Sequence, residues 1–120
     1  NAVSGNYYLD IRHRNSINTW SKNTVNYSTA NNSVYDFTTA ATQAMGNNLT
    51  QLNNKFCIYG GDVNKDGHVD MIDINIIYND QANFSEGYSQ SDINGDSHVD
   101  LNDLSITFNN SVNFVISVTP

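Results

Sequence analysis

Two segments of the chain, 62–73 and 92–103, repeat one pattern of oxygen-bearing side chains. An aspartate or asparagine occupies positions 1, 3, 5, 9 and 12 of each twelve-residue segment. This spacing allows a loop to surround one hard cation with oxygen ligands, and the backbone carbonyl at position 7 adds another. We therefore predict two Ca²⁺ per chain. The predicted side-chain ligands are Asp62, Asn64, Asp66, Asp70, Asp73, Asp92, Asn94, Asp96, Asp100 and Asp103.

Positions 6 and 7 of the two loops refine this prediction. Position 7 is His68 in the first loop and His98 in the second, and each is predicted to ligate through its backbone oxygen while its ring points outward. Position 6 is Gly67 in the first loop but Ser97 in the second. The sharp turn requires a positive φ there, which costs a residue with a side chain about 1 kcal/mol. We expect the second site to be somewhat weaker or slightly distorted.

The acidic charge of the chain is concentrated in these loops. The formal net charge is −7, and eight of the twelve acidic residues lie in the two segments. Ion-free polar turns explain this poorly, because four carboxylates would crowd each loop with nothing to neutralise them. Magnesium prefers fewer protein oxygens and zinc would require clustered Cys or His ligands, so calcium is the predicted ion. No basic stripe is present to neutralise phosphates, which argues against nucleic acid as a partner.

The duplication extends beyond the loops. Residues 61–88 align with residues 91–118 at an offset of 30. Apolar residues recur at helical spacing after each loop, which predicts two short helices that pack against each other about a pseudo-two-fold axis. The predicted apolar faces comprise Met71, Ile74, Ile77 and Tyr78 in the first helix and Leu101, Leu104 and Phe108 in the second.

The first sixty residues read as a β-rich segment. Patterning predicts short strands at 6–14, 17–20, 23–28, 33–38 and 55–59, and a helix of at most two turns at 39–45. Arg12, His13 and Arg14 are predicted to lie on a solvated face of the first strand. Together with the repeats, this predicts an α+β fold with three parts. They are a small sandwich-like β domain at 1–60, a tandem calcium-binding domain at 61–111 and a C-terminal β-strand or tail at 112–120.

The chain ends in an alternating apolar segment. Val112, Phe114, Ile116 and Val118 recur at every second position, which predicts a strand. Such a strand would complete the chain's own N-terminal sheet, or it would be donated to a sheet edge of a neighbouring copy by β-augmentation. These four residues are therefore candidate partner-binding residues, and both alternatives stay open at this point.

The duplicated pattern DxNxDGxVDxxD, with Ser for Gly in the second copy, is followed each time by a short helical stretch and resembles the dockerin family over residues 61–110. The resemblance implies a calcium-folded module of an extracellular protein that joins assemblies. The chain departs from cellulosomal dockerins at loop positions 10 and 11, where those proteins usually carry a Ser-Thr or similar pair that reads the cohesin partner. Met71-Ile72 and Leu101-Asn102 stand there instead, which points away from an ordinary cellulosomal cohesin.

Three functions are compatible with these features. The favoured hypothesis is an extracellular structural protein, a self-assembling filament or surface-layer subunit whose copies join through strand edges. The first alternative is a dockerin-type module that docks a cohesin-like receptor. The second alternative is carbohydrate binding by aromatic side chains of the N-terminal half. The candidate aromatic residues are Tyr7, Tyr8, Trp20, Tyr27 and Tyr35.

Enzymatic activity and membrane insertion are not predicted. Outside the loops the carboxylates are Asp10, Asp36, Asp80 and Glu86, which are scattered along the chain rather than paired. No transmembrane run or lipidation motif is visible in the sequence. Calcium loops of ordinary affinity fill where calcium is millimolar, outside the cell, so we predict an extracellular or cell-surface location.

Overall fold

A computed structural model describes residues 2–30 and 33–120 of the chain, and in these residues short strands precede two helices. The strands are β1 (Gly5–Tyr7), β2 (Asp10–Ile11), β3 (Thr19–Trp20), β4 (Val25–Tyr27), β5 (Thr50–Leu52) and β6 (Lys55–Cys57). Two 3-10 turns, Ala41–Gln43 and Met45–Asn47, lie between β4 and β5. The helices are α1 (Met71–Ala82) and α2 (Leu101–Val112). This content confirms the predicted α+β class.

The chain divides into two compact units that interleave along the sequence. The first unit comprises Asn18–Ile58 together with the N-terminal residues up to Ile11 and the C-terminal Val118–Pro120. The second unit comprises Arg12–Ile17 and Tyr59–Ser117. The second unit begins its long segment at Tyr59, close to the boundary predicted at residue 60. The short segment Arg12–Ile17 also belongs to this unit, which local sequence patterns do not indicate.

The first unit is built from antiparallel strand pairs. β1 pairs with β4, β2 with β3 and β5 with β6, and each pair is a separate two-stranded sheet. In the first pair Gly5 opposes Tyr27, and Tyr7 opposes Val25. The sandwich-like arrangement predicted for this region is not confirmed, because no sheet among the described residues has more than two strands.

Three predicted elements of the first unit take a different form. The single strand predicted at 6–14 is divided into β1 and β2, which belong to separate sheets. Residues 33–38 are not a strand, because the Asp36 side chain accepts hydrogen bonds from the backbone N–H of Thr38 at 2.8 Å and from its hydroxyl at 2.7 Å. Such local side-chain bonds favour a turn over an extended strand. The helix predicted at 39–45 is replaced by the two 3-10 turns, because Ala44 between them is extended, with a φ of −99° and a ψ of 151°.

The second unit has two small apolar clusters, and α1 and α2 pack together over the first of them. In the first cluster Val63, Ile77 and Val99 are buried, and Ile76, Ile93 and Leu104 pack against them. In the second cluster Ile17, Val69 and Val115 are buried, and Tyr59 packs against them. Each loop therefore contributes its position-8 valine to a core.

The apolar faces predicted for the helices are only partly buried. In each helix the buried stripe starts at the position-12 aspartate and continues four residues later, through Asp73 and Ile77 in α1 and through Asp103 and Thr107 in α2. Residues four apart share one face of a helix, so turning the aspartate inward rotates the large apolar side chains outward. The prediction of a fully buried face is wrong for four exposed residues. These are Met71, Tyr78, Leu101 and Phe108.

The C-terminal segment pairs within the chain rather than forming the long strand predicted from residue 112. Val112 is the last residue of α2. Phe114 follows with a φ of 53° and an exposed side chain, and this turn shifts the alternation so that Val115 is the buried residue. Farther on, the backbone makes isolated bridges at Ile116 and Val118.

Candidate calcium and docking site

The last carboxylates of each loop also start the following helix. Asp70 is the N-cap of α1, and its side chain accepts a hydrogen bond from the backbone N–H of Ile72 at 2.7 Å. Asp100 caps α2 in the same way through Asn102, also at 2.7 Å. Each cap satisfies an N–H group that the helix itself leaves without a partner. Loop position 9 therefore connects the candidate ion site to the helix behind it.

Position 12 is the most buried position of each loop. Asp73 is 0% exposed and accepts three backbone N–H groups, from Val63 at 2.9 Å, Asn64 at 3.2 Å and Asp70 at 3.0 Å. Its equivalent, Asp103, accepts from the three equivalent residues of the second loop. These donors are Ile93 at 2.7 Å, Asn94 at 3.0 Å and Asp100 at 2.9 Å. Each carboxylate closes its loop onto the first turn of the helix.

Position 1 differs between the two loops. Asp92 is saturated, because its Oδ1 accepts from two backbone N–H groups and its Oδ2 accepts from Ser97 at 3.1 Å. Asp62 is 1% exposed, and its Oδ2 accepts from Gly67 at 3.2 Å. Asp62 Oδ1 is buried and has no hydrogen-bond partner among the described residues. Burial raises the pKa of this carboxyl, and the neighbouring Asp73 and Asp66 raise it further, against an opposing effect of Lys65.

Positions 3 and 5 form a local turn that repeats in both loops. In the first loop the Asn64 amide donates to Asp66 Oδ2 at 2.8 Å, and the His68 backbone N–H donates to Asp66 Oδ1 at 2.9 Å. The second loop repeats these contacts. The backbone N–H groups of His68 and His98 are the main cause that lowers the pKa of Asp66 and of Asp96. Both carboxylates are therefore ionised at neutral pH, as a cation site requires.

These residues fit calcium by their chemistry, although their arrangement is not a compact cage. Within 2–30 and 33–120, no group of three or more His, Cys, Asp or Glu side chains is gathered in position to hold a metal ion. The carboxylates face backbone N–H groups of their own loops instead. The donors are nevertheless all hard oxygens, and a buried carboxylate oxygen without a partner, Asp62 Oδ1, is stabilised by a cation. A bound Ca²⁺ would supply the positive charge that this oxygen lacks.

The backbone at position 6 is left-handed in both loops, as the turn requires. Gly67 has a φ of 87°, and Ser97 has a φ of 74°. This confirms the positive φ that we predicted for Ser97. The conformation is available to glycine without strain, whereas it costs serine about 1 kcal/mol.

Replacing Ser97 by glycine should therefore stabilise the chain by about 1 kcal/mol and tighten calcium binding at the second loop. Thermal denaturation with and without calcium, together with isothermal titration calorimetry, measures both effects. The exchange Gly67→Ser is the matched control and should have the opposite effect on the first loop. Its added Cβ would lie 3.5 Å from Ser117 Cβ, an ordinary contact, so strain in φ is the main difference. Equal stabilities for all three chains would contradict this prediction.

Two basic side chains stand beside the position-1 aspartates. Lys65 Nζ lies 3.9 Å from Asp62 Oδ2. Arg14 Nη2 lies 3.5 Å from Asp92 Oδ2, and the Arg14 guanidinium also covers the Tyr88 ring at 4.3 Å. The prediction that Arg14 lies on a solvated face is wrong, since it belongs to the second unit and its side chain is 17% exposed. No local sequence signal indicates this role, because the arginine lies 78 positions before its partner.

The loops and helices correspond to one known family. The family model for the dockerin type I domain matches residues 60–110. These residues are a dockerin-like domain. The match covers 51 of the 120 residues. A search of curated proteins and a search of solved structures each found no match.

The dockerin match carries functional information. Dockerin domains bind calcium and are docking modules without catalysis of their own, so the match implies calcium-dependent docking to a protein. Such modules occur in secreted or cell-surface proteins. Among the described residues, no helix has the length and the apolar character needed to cross a bilayer.

The dockerin-like domain exposes an apolar surface on its helices. An open depression is lined by Ile74 of α1 and by residues of α2. The α2 residues are Leu101, Leu104, Ser105, Phe108 and Asn109. Met71 and Leu101, which occupy position 10 of the two loops, are 64% and 65% exposed, and Ile72 at position 11 is also exposed. Large apolar side chains gathered on one surface are typical of a protein interaction site.

The four candidate partner-binding residues of the C-terminal segment have different structural roles. Val112 and Phe114 are exposed at and just beyond the end of α2. Ile116 is exposed, but its backbone bridges to His68, and Val118 bridges to Thr19. The C-terminal backbone is therefore already paired within the chain.

The candidate carbohydrate-binding aromatics do not form one flat platform. Tyr7 and Tyr27 pack edge to face, with ring centroids 6.4 Å apart and an interplanar angle of 73°. Tyr35 packs edge to face on Phe37, and its hydroxyl donates to the backbone oxygen of Gln43 at 2.6 Å. Tyr35 therefore makes structural contacts within the first unit.

Proposed function

We propose that the chain is an extracellular protein-docking module that binds two Ca²⁺ and docks a cohesin-like receptor through the exposed apolar residues of its helices. The observation that carries this proposal is the dockerin match over 60–110, which coincides with the two oxygen-rich loops. The unpartnered, buried Asp62 Oδ1 supports a cation at the first loop. The repeated contacts of Asp73 and Asp103 support an equivalent second site.

The proposed calcium ligands are those predicted from the loop spacing. Each ion would be held by the side chains of positions 1, 3, 5, 9 and 12 and by the backbone oxygen of His68 or His98. The two ions would bring the formal charge of the chain from −7 to −3. In this proposal calcium has a structural role, because the ligands also cap α1 and α2 and close the loops onto the core.

The proposed docking surface is apolar where cellulosomal dockerins are polar. Met71 and Leu101 occupy corresponding positions at the starts of α1 and α2. Both are exposed, and Leu101 also lines the depression together with Ile74 and Phe108. Exposed apolar residues gain most from a partner that covers them with apolar side chains of its own. We therefore propose a cohesin-like receptor with an apolar contact surface.

The filament hypothesis loses one of its two supports. Besides strand edges, it relied on a free apolar strand at the C-terminus, whereas residues beyond α2 pair with backbone of the same chain. Val69 donates its N–H to the oxygen of Val115 at 2.9 Å, and Ser117 donates to the oxygen of Gly67 at 2.7 Å. Donating this segment to a neighbour would break these bonds first. Docking to a distinct receptor requires no such rearrangement.

Biolayer interferometry against a panel of cohesin-like domains from the source organism tests the proposal. We expect binding in calcium that disappears in EDTA. The double variant Met71→Asp/Leu101→Asp should weaken binding about 30-fold or more, as loss of two central anchors would. An aspartate at the first position of a helix favours the helix, so the variant should fold normally.

Val34→Asp is the matched control, because Val34 is 89% exposed and lies in the first unit. This variant should bind like the unchanged chain. Failure of every cohesin-like domain to bind in calcium would reject the receptor class. Equal binding by the double variant and the control would reject the proposed surface.

A further inference from the structure

The segment Arg12–Ile17 belongs to the second unit, although β2 and β3 of the first unit flank it in sequence. Asn15, Ser16 and Ile17 are buried, with exposures of 1%, 4% and 0%. Chain segments that connect two strands normally run over the surface, because their polar backbone groups need partners. Burial of this connection therefore depends on specific bonds, and those bonds lead to both calcium loops.

Asn15 bonds to the start of each loop at the same time. Its backbone oxygen accepts a hydrogen bond from the N–H of Gly61 at 2.7 Å, directly before Asp62 of the first loop. Its side-chain Nδ2 donates to the backbone oxygen of Asp92, the first residue of the second loop, at 2.7 Å. The remaining oxygen of its side chain lies 3.0 Å from His13 Nδ1. One buried residue thus fixes the distance between the two loop starts.

Neighbouring residues repeat this two-sided connection. Arg14 donates from Nη2 to the same Asp92 oxygen at 2.7 Å and from Nε to the oxygen of Ser89 at 2.9 Å. On the other side, the Lys65 ammonium of the first loop donates to the backbone oxygen of Ser16. The guanidinium of Arg14 would also repel a cation bound near Asp92. Arg14 therefore affects calcium binding in two opposite ways, favourably through its hydrogen bonds to the loop and unfavourably through its charge. Asn15 is neutral and can act only through the hydrogen bonds that position the loops.

We propose that Asn15 is a positioning residue that couples the two calcium loops, so that an ion in one loop favours binding in the other. This inference rests on the calcium binding of the proposed function. An ion that orders one loop also orders Asn15, and the other loop then loses less conformational freedom when it binds. The module that responds to calcium consequently includes Arg12–Ile17, which lies outside the matched residues 60–110.

A double-mutant cycle in the full chain measures this coupling. Asp66→Ala disables the first loop at an exposed ligand position, and isothermal titration calorimetry then reports the second site alone. We expect Asp66→Ala to weaken the second site about tenfold, within the usual range for coupled sites. Asn15→Leu keeps the number and branching of the side-chain heavy atoms but removes the donor, and in that background Asp66→Ala should leave the second site unchanged. Asn23→Ala, an exposed asparagine of the first unit, is the matched control and should preserve the coupling.

Hydrogen exchange gives a second readout that needs no change at Asn15. In Asp66→Ala, calcium at the second loop should slow exchange of the Gly61 N–H, which bonds to Asn15, more than that of the Gly67 N–H, which bonds to Asp62. This measurement decides the matter if Asn15→Leu does not fold. Equal weakening with and without Asn15, or equal slowing at both amides, would overturn the coupling. If isothermal titration calorimetry detected no heat of calcium binding by the unchanged chain, the proposed function would be overturned, and the coupling with it.

Discussion

Removing calcium should lower the melting temperature of the chain by at least about 15 °C. At about 1 mM free calcium, a site with a roughly micromolar dissociation constant adds about 4 kcal/mol of folded-state stability. For a domain of this size, each kcal/mol corresponds to about 4 °C or more. The physical reason is that Asp62, which is 1% exposed, has a buried carboxylate oxygen without a hydrogen-bond partner, and a bound cation would stabilise this oxygen. Circular dichroism melts in calcium and in EDTA measure the shift.

Magnesium is the control for this experiment. It prefers octahedral geometry with several waters, so an equal concentration of Mg²⁺ should restore only a small part of the lost stability. Ionic strength must be matched, since general screening also stabilises an acidic chain. Coincident melting curves in calcium and EDTA would contradict the structural role of the ion.

Replacing Asp73 by alanine should destabilise the chain by about 3–5 kcal/mol even in EDTA. The fully buried carboxylate accepts N–H groups of Val63, Asn64 and Asp70, and alanine leaves all three without an acceptor. Each unsatisfied buried donor costs about 1–3 kcal/mol. Such a loss is a large share of the stability of a small domain. In calcium the variant should also lose one binding site, which calorimetry would show as a reduced stoichiometry.

Two further variants separate the hydrogen bonds from the charge. Asp73→Asn retains one acceptor oxygen and should fall between the unchanged chain and Asp73→Ala in EDTA. Glu86→Gln is the control for loss of one acidic charge, because Glu86 is 72% exposed and lies only 3.7 Å from the exposed His98 ring. Exposed pairs of this kind contribute little, so its melting temperature should be nearly unchanged. If Asp73→Ala matched Glu86→Gln in stability, the closing role of position 12 would be refuted.

The spacing of the loops was enough to predict both loop–helix units. Twelve residues with ligands at fixed positions impose a local geometry, and the aspartates at positions 9 and 12 then cap α1 and α2. The positive φ of Ser97 was predictable for the same reason, since it follows from the turn rather than from distant contacts. Strands β3, β4 and β6 were also predictable, because β-branched and aromatic residues mark them locally.

The faces of the helices were harder to predict. The periodicity of apolar residues in α1 and α2 is real, but a buried aspartate at the third position of each helix sets which side faces inward. Met71 and Leu101 become exposed as a result and form part of the proposed docking surface. A hydrophobic pattern alone does not distinguish a face buried in the core from an exposed face that binds another protein.

What the sequence by itself determined is the pair of oxygen-rich loops, their helices and the α+β class, because all of these depend on contacts between residues close in the chain. The tertiary structure alone decided that Arg12–Ile17 joins the second unit and that the C-terminal segment pairs within the chain. Asn15 and Asp92 are 77 positions apart, and no sequence pattern predicts which residue a single asparagine side chain will bond to. Contacts of this kind depend on how the whole chain packs, so only the folded molecule reveals them.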